Sequence, residues 1–172
     1  RWPLGTLPSM RIDPTTLTGK ERHKLLNGDV VPRPIGWIST LGIDGTRNVA
    51  PFSWFQIASS TPPVVLFSSG KRHGSPKDSG ANAIETGNFV VNIVSRELLE
   101  AMNATSVEAP ADLDEFTFAG IDDALSERVA APRVASAPVA LECETLHHYD
   151  IPEGGNTVVF GRVLLAHVRD DL

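Results

Sequence analysis

Residues 77–82, Lys-Asp-Ser-Gly-Ala-Asn, set a cation, a hydroxyl and an amide at the start of a stretch that reads as a helix over roughly 79–86. Asp78 or Ser79 can cap it, and Gly87 can close it. A helix start offers unpaired N–H groups and a partial positive charge, which suits a phosphate. Lys77 adds a full charge, Ser79 a hydroxyl donor, and Asn82 lies one turn on. Charge-assisted bonds of this kind contribute about 1.5–3 kcal/mol each, so two or three anchor a phosphorylated ligand. Asp78 sits awkwardly beside an anion unless its carboxylate turns onto the backbone. Taken alone, plain helix capping accounts for the stretch.

A second stretch, NVAPFSWF at 48–55, interrupts an apolar run with an asparagine, a proline and a serine. It follows IGWISTLG (35–42) and Asp44-Gly45, the strongest hairpin signal in the chain. With Asp44-Gly45 as the turn centre, Asn48 opposes Leu41 and Ala50 opposes Ser39. One face then carries Trp37, Ser39, Asn48, Ala50 and Phe52, and the other Ile38, Thr40, Val49 and Ser53, unless a bulge resets the count. Pro51 has no N–H, so an edge position or a bulge is expected there.

Around these two stretches the elements read as follows. A short helix fits 18–26, stopped by Asn27-Gly28. Further strands are expected at 64–69, 88–94, 139–146 and 157–168, with a second helix near 96–104. The segment 108–138 reads as a long excursion with at most a short helix around 122–130. Six or so strands with few long helices favour a closed antiparallel barrel with helical excursions over a parallel sheet. No GxGxxG or Walker-type loop appears, which removes the main support for Rossmann and P-loop readings.

Composition narrows the classes further. A chain of 172 residues suits one domain, and its 41% hydrophobic and 21% charged content is that of a globular protein. A net charge of −6 without a basic run argues against nucleic acid. Nothing approaches a membrane span, and RWPLGTLPSM is too short and broken for a signal peptide, so a cytoplasmic protein is expected. Met10 is a candidate natural start, with residues 1–9 an extension. One cysteine, Cys143, permits no internal disulfide and no Cys-based metal cluster, and it reads as a packed thiol. His147 and His148 are adjacent on a strand, so they disfavour a shared metal. Arg33 suits a phosphate or a surface ion pair, and Lys71, Arg72 and His73 suit a dinucleotide or a solvated loop.

In order, RPIGWIST (33–40), the Asp-Gly turn, NVAPFSWF (48–55), PPVVLFSS (62–69), KDSGANAIETGNFVVN (77–92), DEFTFAGI (114–121), SAPVALECE (136–144) and GGNTVVFGRV (154–163) resemble the flavin reductase-like family, the FMN-binding split-barrel proteins that include flavoredoxin. Each match is weak, but the ordered set is specific. Ser79 stands where the family commonly shows threonine, and a hydroxyl survives. The family usually continues past Leu172, so a C-terminal piece that helps cover the site is expected beyond it.

The resemblance implies a mainly β chain, a Greek-key split barrel over 33–172 after an N-terminal extension and short helix over 1–32. It also implies a homodimer with FMN near the subunit interface. The flavin ring would lie against Ala50-Pro51-Phe52-Ser53, with Asn48, Ser39 and Thr40 at its edge or ribityl chain, and Lys77, Ser79 and Asn82 at the phosphate end. Hydride transfer from a reduced nicotinamide needs stacking and hydrogen bonds but no protein nucleophile, so no catalytic side chain and no metal are expected. The implied activity is that of an FMN-dependent NAD(P)H:flavin oxidoreductase serving a monooxygenase or another electron acceptor. Two alternatives stand beside it: a non-enzymatic FMN-binding electron carrier, and a barrel that has lost flavin and acts as a scaffold.

Overall fold

The computed structural model describes residues 10–72, 75–107, 110 and 112–172. Residues 1–9, His73 and Glu108, which figure in the expectations above, lie outside them. The chain divides into two units, ending and restarting at Arg33 and Pro34.

In the first unit, α1 (Gly19–Asp29) opens on a capping box: the Glu21 N–H donates to Thr18 Oγ1, and the Thr18 N–H to Glu21 Oε2. The helix runs through Asn27-Gly28 and ends three residues later than expected, since a lone helical glycine costs only about 1 kcal/mol. Among the described residues Arg33 forms no ion pair. Its guanidinium donates to the Asn27 and Val30 carbonyls at 2.7 Å each, satisfying acceptors that the helix end leaves open.

The second unit holds β1 (Gly36–Leu41), β2 (Arg47–Phe52), β3 (Phe55–Ser60), β4 (Pro63–Ser69), β5 (Lys71–Arg72), β6 (Ser75–Pro76), α2 (Asp78–Glu85), β7 (Asn88–Ile93), α3 (Leu99–Ala104), α4 (Glu115–Ala119), β8 (Asp123–Ala124), β9 (Arg133–Val134), β10 (Val139–Asp150) and β11 (Thr157–Val168). Seven strands form one antiparallel sheet in the order β2-β1-β7-β10-β11-β4-β3. The mainly β reading holds; the closed barrel does not. Among the described residues no ladder joins the end strands β2 and β3. These two edges are consecutive in sequence, joined by Ser53-Trp54, and Pro51 takes a donor away from the β2 edge. Strand β3 was not anticipated as a separate element, and the excursion forms α4 and the β8–β9 ribbon instead of a helix at 122–130.

Apolar residues on one side of the sheet, Ile38, Phe52, Phe67, Phe89, Val91 and Val159, form the main core. Trp37, Val49, Phe116 and Val134 form a second cluster on the other side of β1 and β2. Gly161 lets Phe89 lie against the β11 backbone: an added Cβ would stand 2.3 Å from the ring. Cys143 is fully buried, and burial, aided by the charge of Glu142, pushes its thiol up to about 12, so it is an inert packing group.

Candidate functional site

The β1–β2 hairpin sets the site, and its register differs by one residue from the expected one. Leu41 faces Arg47, Thr40 faces Asn48 and Ile38 faces Ala50. The turn has three loop residues, not two: Gly45 N–H donates to Gly42 O at 2.9 Å, Gly42 N–H to Thr46 O at 2.8 Å, and Gly45 has φ +86°. Asp44 Oδ1 accepts from the Thr46 N–H, which holds the loop in this form.

The shift redistributes the predicted residues. Asn48, Ala50 and Phe52 join Thr40 and Ile38 on the core face beneath α2, while Ser39 and Trp37 join Val49 on the opposite face. The Gly42–Thr46 bond also fixes the alternation, so Thr40:Asn48 and Ile38:Ala50 are hydrogen-bonded pairs and Trp37:Pro51 is not. The nitrogens of Val49 and Pro51 therefore point off the outer edge of β2. Pro51 loses nothing there, and the run stays regular without a bulge.

Helix α2 crosses over this face. Lys77 is its N-cap and supplies no side-chain cap, so Asp78 and Ser79 are its first residues and not caps. Gly80 allows the close approach, because an added Cβ would sit 2.6 Å from Ser69 Oγ. Ser79 is buried and its hydroxyl turns inward, donating to Asn48 Oδ1 at 2.7 Å. Thr40 Oγ1 donates to the same oxygen at 3.3 Å and accepts from Asn82 Nδ2 at 3.2 Å. Asn48 Nδ2 donates to Glu115 Oε1 at 2.9 Å, tying in the first turn of α4. Thr40, Asn48, Ser79 and Asn82 thus form one network.

The remaining predicted residues stand apart from it. Ser39 is fully buried on the other face, where its hydroxyl donates to Pro132 O at 2.5 Å and accepts from Asn92 Nδ2 at 3.0 Å. Phe52 packs in the core with its ring centroid 5.0 Å from that of Phe67. Ala50, Pro51 and Ser53 are half-buried along the β2 edge and its exit. Lys77 is exposed, near Gly70.

Between the hairpin tip and α2 lies a cavity of about 150 Å³, lined by Gly42, Asp44, Asn48, Asp78, Asn82 and Glu85 among others. Its three carboxylates make it hostile to anions. The cationic side of α2 is at Lys77. Asp78 faces the cavity, which resolves its awkward place at the head of the helix.

Glu115 was missed by sequence reasoning. An acid in the first turn of a helix reads as an ordinary partner of the helix dipole, and no periodicity marks it as buried. Yet it is only 7% exposed, and its Oε2 has no hydrogen-bond partner. Burial, together with the charge of Asp78, raises its pKa above the ordinary glutamate value against the pull of Asn48 and nearby N–H groups. Beside it, Arg47 binds Asp114 and Asp123 and lies 5.6 Å from the Phe116 ring centre, fixing α4 to β2.

Residues 28–172 match the flavin reductase like domain family, and the chain belongs to that family. It is 43% identical over 155 residues to an uncharacterized protein of Aquifex aeolicus, covering 90% of this chain and 78% of that one. Its fold matches nitrilotriacetate monooxygenase component B from Bacillus cereus with a TM-score of 0.93 and 31% identity, over 97% of this chain and 85% of the other. It also matches 2-nitrobenzoate 2-nitroreductase from Pseudomonas fluorescens, with a TM-score of 0.85 and 30% identity over 95% and 78% of the two chains. Among the described residues no helix is long and apolar enough to cross a membrane, and no cluster of potential metal ligands occurs.

Proposed function

We propose that this protein is an FMN-dependent NAD(P)H:flavin oxidoreductase that passes electrons to a monooxygenase component or another acceptor. The observation that carries the reading is the 2.7 Å bond from Ser79 to Asn48, which joins the edge strand β2 to the first turn of α2. The two halves of a grip on a phosphorylated ring system are thereby adjacent. When bound, a flavin supplies a ring that accepts hydride from a reduced nicotinamide and releases electrons singly or in pairs.

The donor set fits such a group. Lys77 and the uncapped N–H groups opening α2 suit the phosphate, through backbone donors and the ammonium, since the Ser79 hydroxyl is already engaged. The edge of β2 at Ala50–Ser53 and the Asn82 amide suit the ring, where a proline without an N–H leaves room for close approach. A cavity of about 150 Å³ falls below the roughly 300–1,000 Å³ of ordinary ligand sites. In this reading one protomer lines one wall of the flavin site and a second copy of the chain covers the other.

The test is a visible spectrum of the purified protein, before and after FMN, followed by NADH or NADPH with the nicotinamide band monitored. Loss of that band with catalytic FMN is the expected result. Flavin retained through dialysis with negligible nicotinamide oxidation would instead assign an electron carrier. A colourless protein that FMN leaves unstabilised against heat would assign a scaffold, because ligand at 100 times its Kd adds about 2.7 kcal/mol.

A further inference from the structure

The Asn48 network has a direction, and Glu115 sets it. An ionised carboxylate only accepts, so Asn48 must turn Nδ2 to Glu115 and Oδ1 to Ser79 and Thr40. Thr40 then has its hydrogen committed to Asn48 and accepts from Asn82 Nδ2. Asn82 is left presenting Oδ1 on the side of Gly42, at the mouth of the cavity. Every link fixes the next.

A proton on Glu115 would reverse the chain without moving any backbone. On Oε2 the proton would have no acceptor, because that atom is buried and unpartnered. On Oε1 it faces Asn48, whose amide must flip to accept it. The two Nδ2 hydrogens of Asn48 then serve Ser79 and Thr40, and the Thr40 hydroxyl is free to donate to Asn82 Oδ1. Asn82 flips in turn and shows its NH2 group to the cavity. Each hydrogen bond of the series survives with donor and acceptor exchanged.

We propose that Glu115 is a positioning residue whose protonation, relayed through Asn48 and Thr40, switches Asn82 from hydrogen-bond acceptor to donor at the cavity mouth. A neutral group rich in acceptors, such as the carbonyl edge of a flavin ring, is then bound together with a proton. This last step rests on the flavin reading, whereas the relay does not. The carboxylates of Asp44, Asp78 and Glu85 around the cavity favour a neutral acceptor over an anion. The charged groups about Glu115 agree with a proton being held there. Asp78 on α2 disfavours its ionisation, and Asp114, the N-cap of α4, lies beside it in the chain. Arg47 on β2 is bound by Asp114 and by Asp123 of β8, and Glu100 of α3 is exposed.

The experiment is a pH titration of the ligand-free protein by NMR, following the Glu115 side-chain carboxyl carbon and the side-chain amides of Asn48 and Asn82. The Glu115 signal is identified by its absence in Glu115→Gln. The relay predicts that both amides move with the Glu115 midpoint and become independent of pH in the variant. Amides that ignore that midpoint overturn it. In a second arm FMN is added, with inorganic phosphate as control. The Glu115 midpoint is expected to rise by half a pH unit or more, a threefold or larger change in proton affinity, with FMN and not with phosphate. Bound FMN that leaves the midpoint in place overturns the coupling to ligand. Failure of FMN to bind removes the flavin reading and the coupling with it, and the ligand-free titration still decides the relay.

Discussion

Glu142 and Glu115 are both buried in the same unit, and they respond to burial in opposite ways. Glu142, on β10, accepts from the N–H groups of Glu127 at 2.9 Å and Arg128 at 2.6 Å, and pairs with His167 Nε2 at 2.6 Å. Burial pushes its pKa up, but these three partners outweigh it and the net shift is downward. Glu115 has the Asn48 amide and the N–H groups of Val49 and of its own residue on its side, but its Oε2 is unpartnered, burial and Asp78 outweigh them, and its pKa rises. Glu115 is the more heavily desolvated of the two, has the Asp78 charge nearby and keeps one oxygen without a partner, whereas Glu142 has His167 beside it and both oxygens engaged. A carboxylate whose lone pairs are filled is structural cement, here pinning the 127–128 segment to the sheet. One left partly unfilled keeps a choice of protonation state. Two buried asparagines repeat the contrast. Asn92 gives both hydrogens to Trp37 O and Ser39 Oγ and accepts from Val134 N–H, a closed set ending on backbone, whereas the Asn48 set ends on Glu115 and on half-exposed Asn82.

The largest effect expected from this contrast is on stability at Glu142. Glu142→Ala leaves two N–H groups and His167 without their partner and should cost about 3–5 kcal/mol in urea unfolding at neutral pH. Its depressed folded pKa means that the contribution is present above the unfolded glutamate value. It is lost as pH falls through the lower folded value, so Glu142→Gln should flatten the acid limb of a stability profile. A loss under 1 kcal/mol in the alanine variant would remove the cement role.

Next in size is Lys77→Ala. Lys77 is exposed, so stability should be unchanged, while FMN affinity falls about tenfold (~1.4 kcal/mol) and riboflavin affinity stays as it was. Equal loss for both flavins would place the phosphate elsewhere.

The smallest effect belongs to Glu115→Gln. With a raised folded pKa, Glu115 favours folding at low pH, and that contribution is lost as pH rises through the folded value. The variant should therefore be more stable than the parent at pH 8, by up to about 1 kcal/mol, with the gap closing toward pH 4. A variant less stable at both ends would make Glu115 cement like Glu142.

Much of this was legible in the residues. The strands at 88–94 and 157–168 and the helix closing at Gly87 follow from period and caps, and the meeting of the 48 and 79 regions is what the family resemblance implies. The hairpin register did not, because Asp-Gly serves equally as the centre of a two-residue turn or the end of a three-residue one. The choice falls to the Gly42–Thr46 bond, which no local pattern reveals. That one residue moved Ser39 to the far face and brought Thr40 to Asn48. Glu115 stayed hidden because its burial comes from β2 packing, a tertiary fact. Strand β3 was hidden because the polar letters in FQIASS blur a period already shifted by the bulge between Ile57 and Ser59.

The most direct test of the central claim, that β2 and the start of α2 together grip a phosphorylated flavin, is an amide map of the protein as FMN is added. Shifts concentrated at Lys77–Asn82 and Arg47–Ser53 are the predicted result. Perturbation elsewhere with both segments unmoved would contradict it.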